Sequence, residues 1–156
     1  MVAFKNRYLV MEVVFDRNRD LGKDGEDPVI ITKYNIESSI KDSIRANFGE
    51  CGLASSLRSL QVKYVNKLTK VCIIRASRDE YQKVWCSITL VRSIANYPVV
   101  LNLLDLSGSI RACKNAALKC EEVKFDHYKL LAGARCTLQS NLEMQKCLEI
   151  IKALES

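Results

Sequence analysis

The chain has 156 residues, 48% of them hydrophobic and 27% charged, which suits one folded domain with its own core and excludes a disordered tail. With 24 Lys and Arg against 18 Asp and Glu, the net charge is +6 and the pI about 9.0; such a surplus favours an anionic partner, nucleic acid before acidic membrane. No run approaches the ~20 consecutive apolar residues of a membrane span, because Asn102 and Asp105 interrupt Val99–Leu106, and no secretory signal is read at the start.

Residues Arg7–Phe15 alternate as a strand, with Leu9, Met11, Val13 and Phe15 on one face. Asp16–Pro28 reads as a polar, turn-rich and mobile loop. A helix is predicted from about Asn35, its N-cap, to Asn47, with Ile36, Ile40, Ile44 and Phe48 as its apolar stripe and Gly49 and Gly52 ending it. Cys51–Ser59 is then a small-residue connection. Leu60–Val65 and Val71–Arg75 form a hairpin around Asn66–Lys70. Ser77-Arg78-Asp79-Glu80 has capping-box spacing and opens a helix to about Ile94, with Tyr81, Val84, Trp85, Ile88 and Val91 on its core face and Tyr97-Pro98 stopping it.

Val99–Leu106 is nearly continuous in apolar residues and is predicted to be a central, covered strand. The order β-α-β-β-α-β indicates an α/β (α+β) split βαβ sandwich, ferredoxin-like or RRM-like, with two helices on one face of the sheet. Two further helices follow, Ser109–Leu131 and, after Gly133, Leu138–Leu154 with Met144, Leu148 and Ile151 on one side. They are expected to cover the open face of the sheet or to dock a partner. The whole chain, 1–156, reads as a single domain: a sandwich core with its third helix over 1–131 and an amphipathic helix over 137–156.

Cys51, Cys72, Cys86, Cys113, Cys120, Cys136 and Cys147 contain no CxxC, and the single histidine leaves no His partner for zinc. An odd number spread over strands and helices suggests reduced thiols, as in cytosol or nucleus. Catalysis has little to stand on. His127 lies in a lysine-flanked helix and reads as an exposed structural residue rather than a base. Asp105 and the Glu121-Glu122 pair form no metal-binding cluster, and no phosphate loop of the GxxxxGK[ST] or GxGxxG kind is present.

The informative segment is Leu106–Lys114, a strand-to-helix turn with Gly108 at its centre. A helix start attracts anions through its unpaired amides and its dipole, yet Arg111 and Lys114 place cations there. A docked phosphate reconciles the two, which makes Gly108, Ser109, Arg111 and Lys114 candidate RNA contacts. The plainer reading is a solvated arginine beside a serine cap. Lys5 and Arg7, flanking the first strand, are a second candidate pair, with simple solubility as their plainer reading. Lys63, Lys67 and Lys70 read as a solvated face. Base stacking in the manner of the RNA recognition motif is disfavoured, because Val71–Arg75 carries no aromatic and Tyr8 stands alone in the first strand.

Three blocks resemble a known family: Met1–Leu9 with Glu12; Val62–Asn66 with Thr69, Ile74, Arg75, Arg78, Tyr81, Val84 and Trp85; and Leu101–Leu104 with Ser107–Cys113. Together they are similar to the Pop-five subunits of eukaryotic ribonuclease P and RNase MRP, in a plant-like spelling that includes Asn47–Gly52. The resemblance implies a ferredoxin-like sandwich and a non-catalytic role bracing the catalytic RNA, which removes 5′ leaders from precursor tRNA and, in RNase MRP, processes ribosomal RNA. It further implies magnesium on the RNA and no cofactor in the protein. A barrel-shaped subunit and a small paralogue-like subunit would be its protein partners, with precursor tRNA met indirectly, no membrane, and a nuclear or nucleolar location. The rival readings are an independent RRM-like RNA-binding protein, a ferredoxin-like protein-interaction or small-ligand module, and a stand-alone nuclease, for which the clustered carboxylates or histidines are missing.

Overall fold

The computed structural model describes residues 5–16, 29–133 and 137–155. The loop expected over Asp16–Pro28 therefore lies, apart from Asp16, outside the described residues, as does Cys136. In chain order the elements are β1 (Asn6–Phe15), α1 (Lys33–Leu57), β2 (Gln61–Val65), β3 (Val71–Ser77), α2 (Tyr81–Thr89), β4 (Ser93–Ile94), β5 (Tyr97–Ser107), α3 (Ile110–Ala132) and α4 (Leu138–Ala153). One antiparallel sheet runs β2-β3-β1-β5-β4. Apart from the two-residue β4, this is the ferredoxin-like order that the sequence pattern indicated.

Local chemistry explains each boundary. Thr32, not Asn35, caps α1; the two form a reciprocal capping box, Thr32 Oγ1 accepting from the Asn35 amide and Asn35 Oδ1 from the Thr32 amide. Gly49 breaks α1 as expected, with φ 73° and ψ −177°, a conformation confined almost entirely to glycine. The chain then resumes a helical path, so the small-residue segment before Leu57 is helical rather than a plain connection.

Ser77 Oγ does accept from the Glu80 amide at 3.2 Å, but α2 proper begins at Tyr81. It ends at Thr89, not Ile94. Ser93-Ile94 instead pair with Tyr97-Pro98 across Ala95 (φ 50°) and Asn96 (φ 65°), the two positive angles of a type I′ hairpin turn. Helical spacing of Ile88 and Val91 concealed this, since the hairpin also carries Ile94 into the core.

The central strands are β1 and β3 rather than β5. Tyr8–Met11 and Val71–Ile74 are at most 2% exposed, whereas Val100 on β5 is 62% exposed. With only β4 on its outer side, β5 alternates buried and exposed residues. Two cores explain the continuous burial of β1 and β3. Leu9, Met11, Cys72 and Ile74 pack with Ile36, Ile40, Ile44, Val84 and Ile88 from α1 and α2. Tyr8, Val10, Tyr64, Val71 and Ile73 pack with Cys113, Ala117 and Ile151 from α3 and α4 on the opposite face. The C-terminal helices thus cover the second face of the sheet. A register shift between Val62 and Tyr64 sends these two neighbours into different cores.

Candidate functional site

Antiparallel pairing gathers the start of β1 and the ends of β3 and β5 at one edge of the molecule. Asn6 lies opposite Ser77 and Tyr8 opposite Ser107. The Arg78 amide donates to the Lys5 carbonyl at 2.8 Å, tying the segment after β3 to the residue before β1. Between these strand ends and the start of α3 opens a cavity of about 550 Å³, lined by Lys5, Asn6, Arg7, Tyr8, Arg78, Gly108, Ser109 and Ile110. It holds three cations and no acid. A hollow of equal size between α1 and the β4 hairpin sets Arg92 against Asp42, and so lacks this charge bias.

The arginine is held in place. Arg7 Nη1 donates to the Asn6 carbonyl at 3.1 Å, and its guanidinium lies over the Tyr81 ring, 5.9 Å from the centroid. The turn at Gly108 passes close to this arginine: a Cβ there would stand 3.7 Å from Arg7 Nη1, an ordinary contact. Ser109 is the N-cap of α3, its Oγ accepting from the Ala112 amide at 3.2 Å, and the first helical bond runs from the Cys113 amide to the Ser109 carbonyl. The amides of Ile110 and Arg111 belong to the first turn, whose N–H groups have no intrahelical acceptor. Amides, dipole and cations therefore converge on one space, an arrangement suited to a phosphate.

Of the six candidate residues, Lys5, Arg7, Gly108 and Ser109 meet in this cavity. Arg111 is exposed on the adjoining turn of α3 and does not line it. Lys114 is turned away; its Nζ donates to the Lys152 carbonyl at 3.0 Å and so caps the last turn of α4. Sequence reasoning passed over Arg78, which the fold brings into the same cavity. The strand register that sets it beside Lys5 is what would have found it.

A second feature was missed. Glu121, read as one of two scattered carboxylates, is fully buried beneath the β2–β3 turn. Asn66 Nδ2 donates to its Oε2 at 2.9 Å, and Thr69 Oγ1 donates to the carboxyl at 3.0 Å. Asn66 Oδ1 meanwhile accepts from the Leu68 and Thr69 amides, shaping the turn that presents both donors. Burial pushes the Glu121 carboxyl up to about 7, against the pull of the Thr69 and Asn66 hydrogen bonds. Burial likewise raises the Tyr64 hydroxyl and the Cys147 thiol beside it. This knot fixes α3 to the sheet; Glu122, its neighbour, is exposed.

Among the described residues no group of three His, Cys, Asp or Glu side chains is placed to hold a metal. His127 is exposed, and the Asp105 carboxyl is hydrogen-bonded by the Ser107 hydroxyl. Tyr8 and Tyr64, the aromatic residues of the sheet that face α3 and α4, are buried beneath those helices.

Residues 7–118 match the model of the Rpp14/Pop5 family. An Arabidopsis thaliana protein named a probable ribonuclease P/MRP protein subunit POP5 is 53% identical over the full length of both chains. The Schizosaccharomyces pombe ribonuclease P/MRP protein subunit POP5 is 29% identical, covering 84% of this chain and 96% of its own. The human subunit of that name is 30% identical over 73% of this chain and 68% of its own. A chain in a cryo-EM structure of yeast ribonuclease MRP shares the fold, with a TM-score of 0.55 at 15% identity, covering 88% of this chain and 99% of that one. From residue pattern, fold and matched sequence together, the chain belongs to the Rpp14/Pop5 family.

Proposed function

We propose that this chain is a protein subunit of the ribonuclease P and RNase MRP ribonucleoproteins, binding their RNA in the cavity formed by Lys5, Arg7, Arg78 and the start of α3. The observation that carries the RNA contact is the convergence of three cations and a helix N-terminus on one acid-free space. Its role in the complex is structural. It neutralises phosphates that crowd together when the RNA core folds, and so supports removal of precursor tRNA leaders and processing of ribosomal RNA. Bond cleavage is assigned to the RNA, with magnesium held by RNA phosphates; precursor tRNA is met only through the complex. A barrel-shaped subunit and a small paralogue-like subunit are its proposed protein partners, and the nucleus, with the nucleolus, its proposed location.

The rival of an independent RRM-like protein requires an accessible sheet face. Burial of Tyr8 and Tyr64 under α3 and α4 counts against it.

The test is recovery of RNA from cells with the tagged chain, followed by sequencing and cleavage of precursor tRNA. Ribonuclease P or MRP RNA with leader removal is expected. Replacing Arg7 and Arg78 together by alanine should reduce recovery and flatten the salt dependence of RNA affinity by about 1.5 in log K per log salt, at ~0.7–0.9 for each lost phosphate contact. An unchanged slope in a folded double variant removes the cavity as the phosphate site; no recovery of either RNA by the unaltered chain removes the functional reading.

A further inference from the structure

The far end of β1 carries a second cavity of a different kind. About 260 Å³ in volume, it opens where the end of β1 and the start of β5 meet the β2–β3 turn, beside the C-terminal half of α3. Two ring systems contribute to its wall. Phe15 meets Tyr97 edge-to-face at 5.7 Å, and Tyr128, stacked on Phe125 at 5.9 Å and 14°, lines it from α3. Its charges balance: Lys70 and Lys124 stand against Glu12 and Asp16. Glu12 is held by Lys124 and by Asn102 Nδ2 at 3.0 Å, so its carboxylate is fixed at the cavity wall.

The contrast with the first cavity decides the chemistry. Three cations without an acid suit a phosphate. A small, neutral space with aromatic walls and both donors and acceptors at its rim suits a flat heterocycle with polar edges. It is also smaller than the ~300–1,000 Å³ clefts that take drug-sized ligands. Glu12 is already paired with Lys124 and Asn102, and Thr69 with Glu121, so the occupant is selected by the aromatic rings of the wall, which suit a flat, stackable group.

We propose that this cavity receives one unpaired nucleobase of the RNA whose phosphates occupy the Lys5–Arg7–Arg78 cavity. The inference rests on that RNA-binding reading. The two cavities lie at opposite ends of the ten-residue β1, separated by roughly 30 Å at ~3.3 Å per residue. That distance is about nine stacked nucleotides at ~3.4 Å each. The protein thus grips its RNA twice: by backbone charge at one end of the sheet and by a stacked base at the other.

The experiment uses the full-length chain and two fluorescent 12-nucleotide single-stranded RNAs of equal charge, one of mixed sequence and one abasic throughout. Affinity is read by anisotropy. The mixed sequence is expected to bind roughly ten-fold more tightly, the scale of one base stacked on aromatic side chains. Tyr128→Ala and, separately, Phe15→Leu should shrink that difference, while Tyr128→Phe keeps it. Replacing Arg7 and Arg78 by alanine should weaken both RNAs alike. Circular dichroism confirms that each variant is folded, and two variants on different elements guard against the loss of one. Equal affinity for the two RNAs, or a difference that survives both ring substitutions, overturns the base pocket alone and leaves an apolar side chain of a protein partner as the alternative occupant. Failure of both RNAs to bind overturns the base pocket together with the RNA-binding reading.

Discussion

Glu121→Gln should make this protein more stable above neutral pH, although it removes a hydrogen-bonded native side chain. The carboxyl is fully buried, and burial raises it from an ordinary value near 4.5 to about 7. Between those two values the folded chain holds a proton that the unfolded chain releases. Glu121 therefore contributes stability that is complete below pH 4.5, falls as pH rises, and is gone above about pH 7. A tenfold change in an ionisation constant is worth roughly 1.4 kcal/mol, so the full swing is about 3 kcal/mol. Tyr64 and Cys147, the titratable neighbours, have their ionisation pushed upward by burial and remain neutral over this range. Glutamine has the same shape, is neutral at every pH, and accepts from Asn66 and Thr69 through its Oε1. Urea unfolding of both proteins from pH 5 to pH 8.5 would show the difference. The two should be nearly equal at pH 5, and the variant should lead by about 2–3 kcal/mol at pH 8.5, a size set by the displaced ionisation. Parallel stability curves, with the variant below the natural protein at every pH, would refute the reasoning by showing the buried carboxylate to be a net favourable acceptor.

Ile73→Ala should cost about 2–5 kcal/mol in denaturant unfolding, because Ile73 is fully buried between the sheet and the C-terminal helices. A loss below about 0.5 kcal/mol, typical of a surface site, would mean that α3 and α4 leave that face open. Gly49→Ala forces a Cβ into the conformation at φ 73° and ψ −177° and should cost about 1–3 kcal/mol, read as a lowered Tm; an unchanged Tm would place no strain at the kink. The six described cysteines are free thiols. In the folded protein, alkylation followed by mass spectrometry should mark Cys51 and Cys86 quickly, while Cys72 and Cys113, buried and pushed up to about 12, react only on unfolding; fast labelling of Cys72 would contradict its burial between sheet and helices.

The element order was legible along the chain because period and punctuation are local. Ile36, Ile40 and Ile44 announce α1, Ser109 the cap of α3, and Gly49 a break in α1, each through geometry within a few residues. The basic residues Lys5 and Arg7 and the turn around Gly108 were likewise singled out before any strand was paired, and the fold brings them into one cavity. Other features depend on partners distant in sequence. The Ser93–Ile94 hairpin hid behind a helical spacing because Ile94 reaches the core either way. The strand Val99–Leu106 looked central by its apolar run, yet sheet order gave that place to β1 and β3, whose neighbours come from both ends of the chain. Arg78 joined the basic cavity, and Lys114 left it, through antiparallel register and the docking of α4. Glu121 shows the division most plainly. In the sequence it is one of two adjacent acids; in the fold, packing of α3 beneath the β2–β3 turn buries it against Asn66 and Thr69, more than fifty residues away. Local propensities act over a turn or two of chain, whereas charge, burial and ionisation are set by whatever the folded chain brings within a few ångströms.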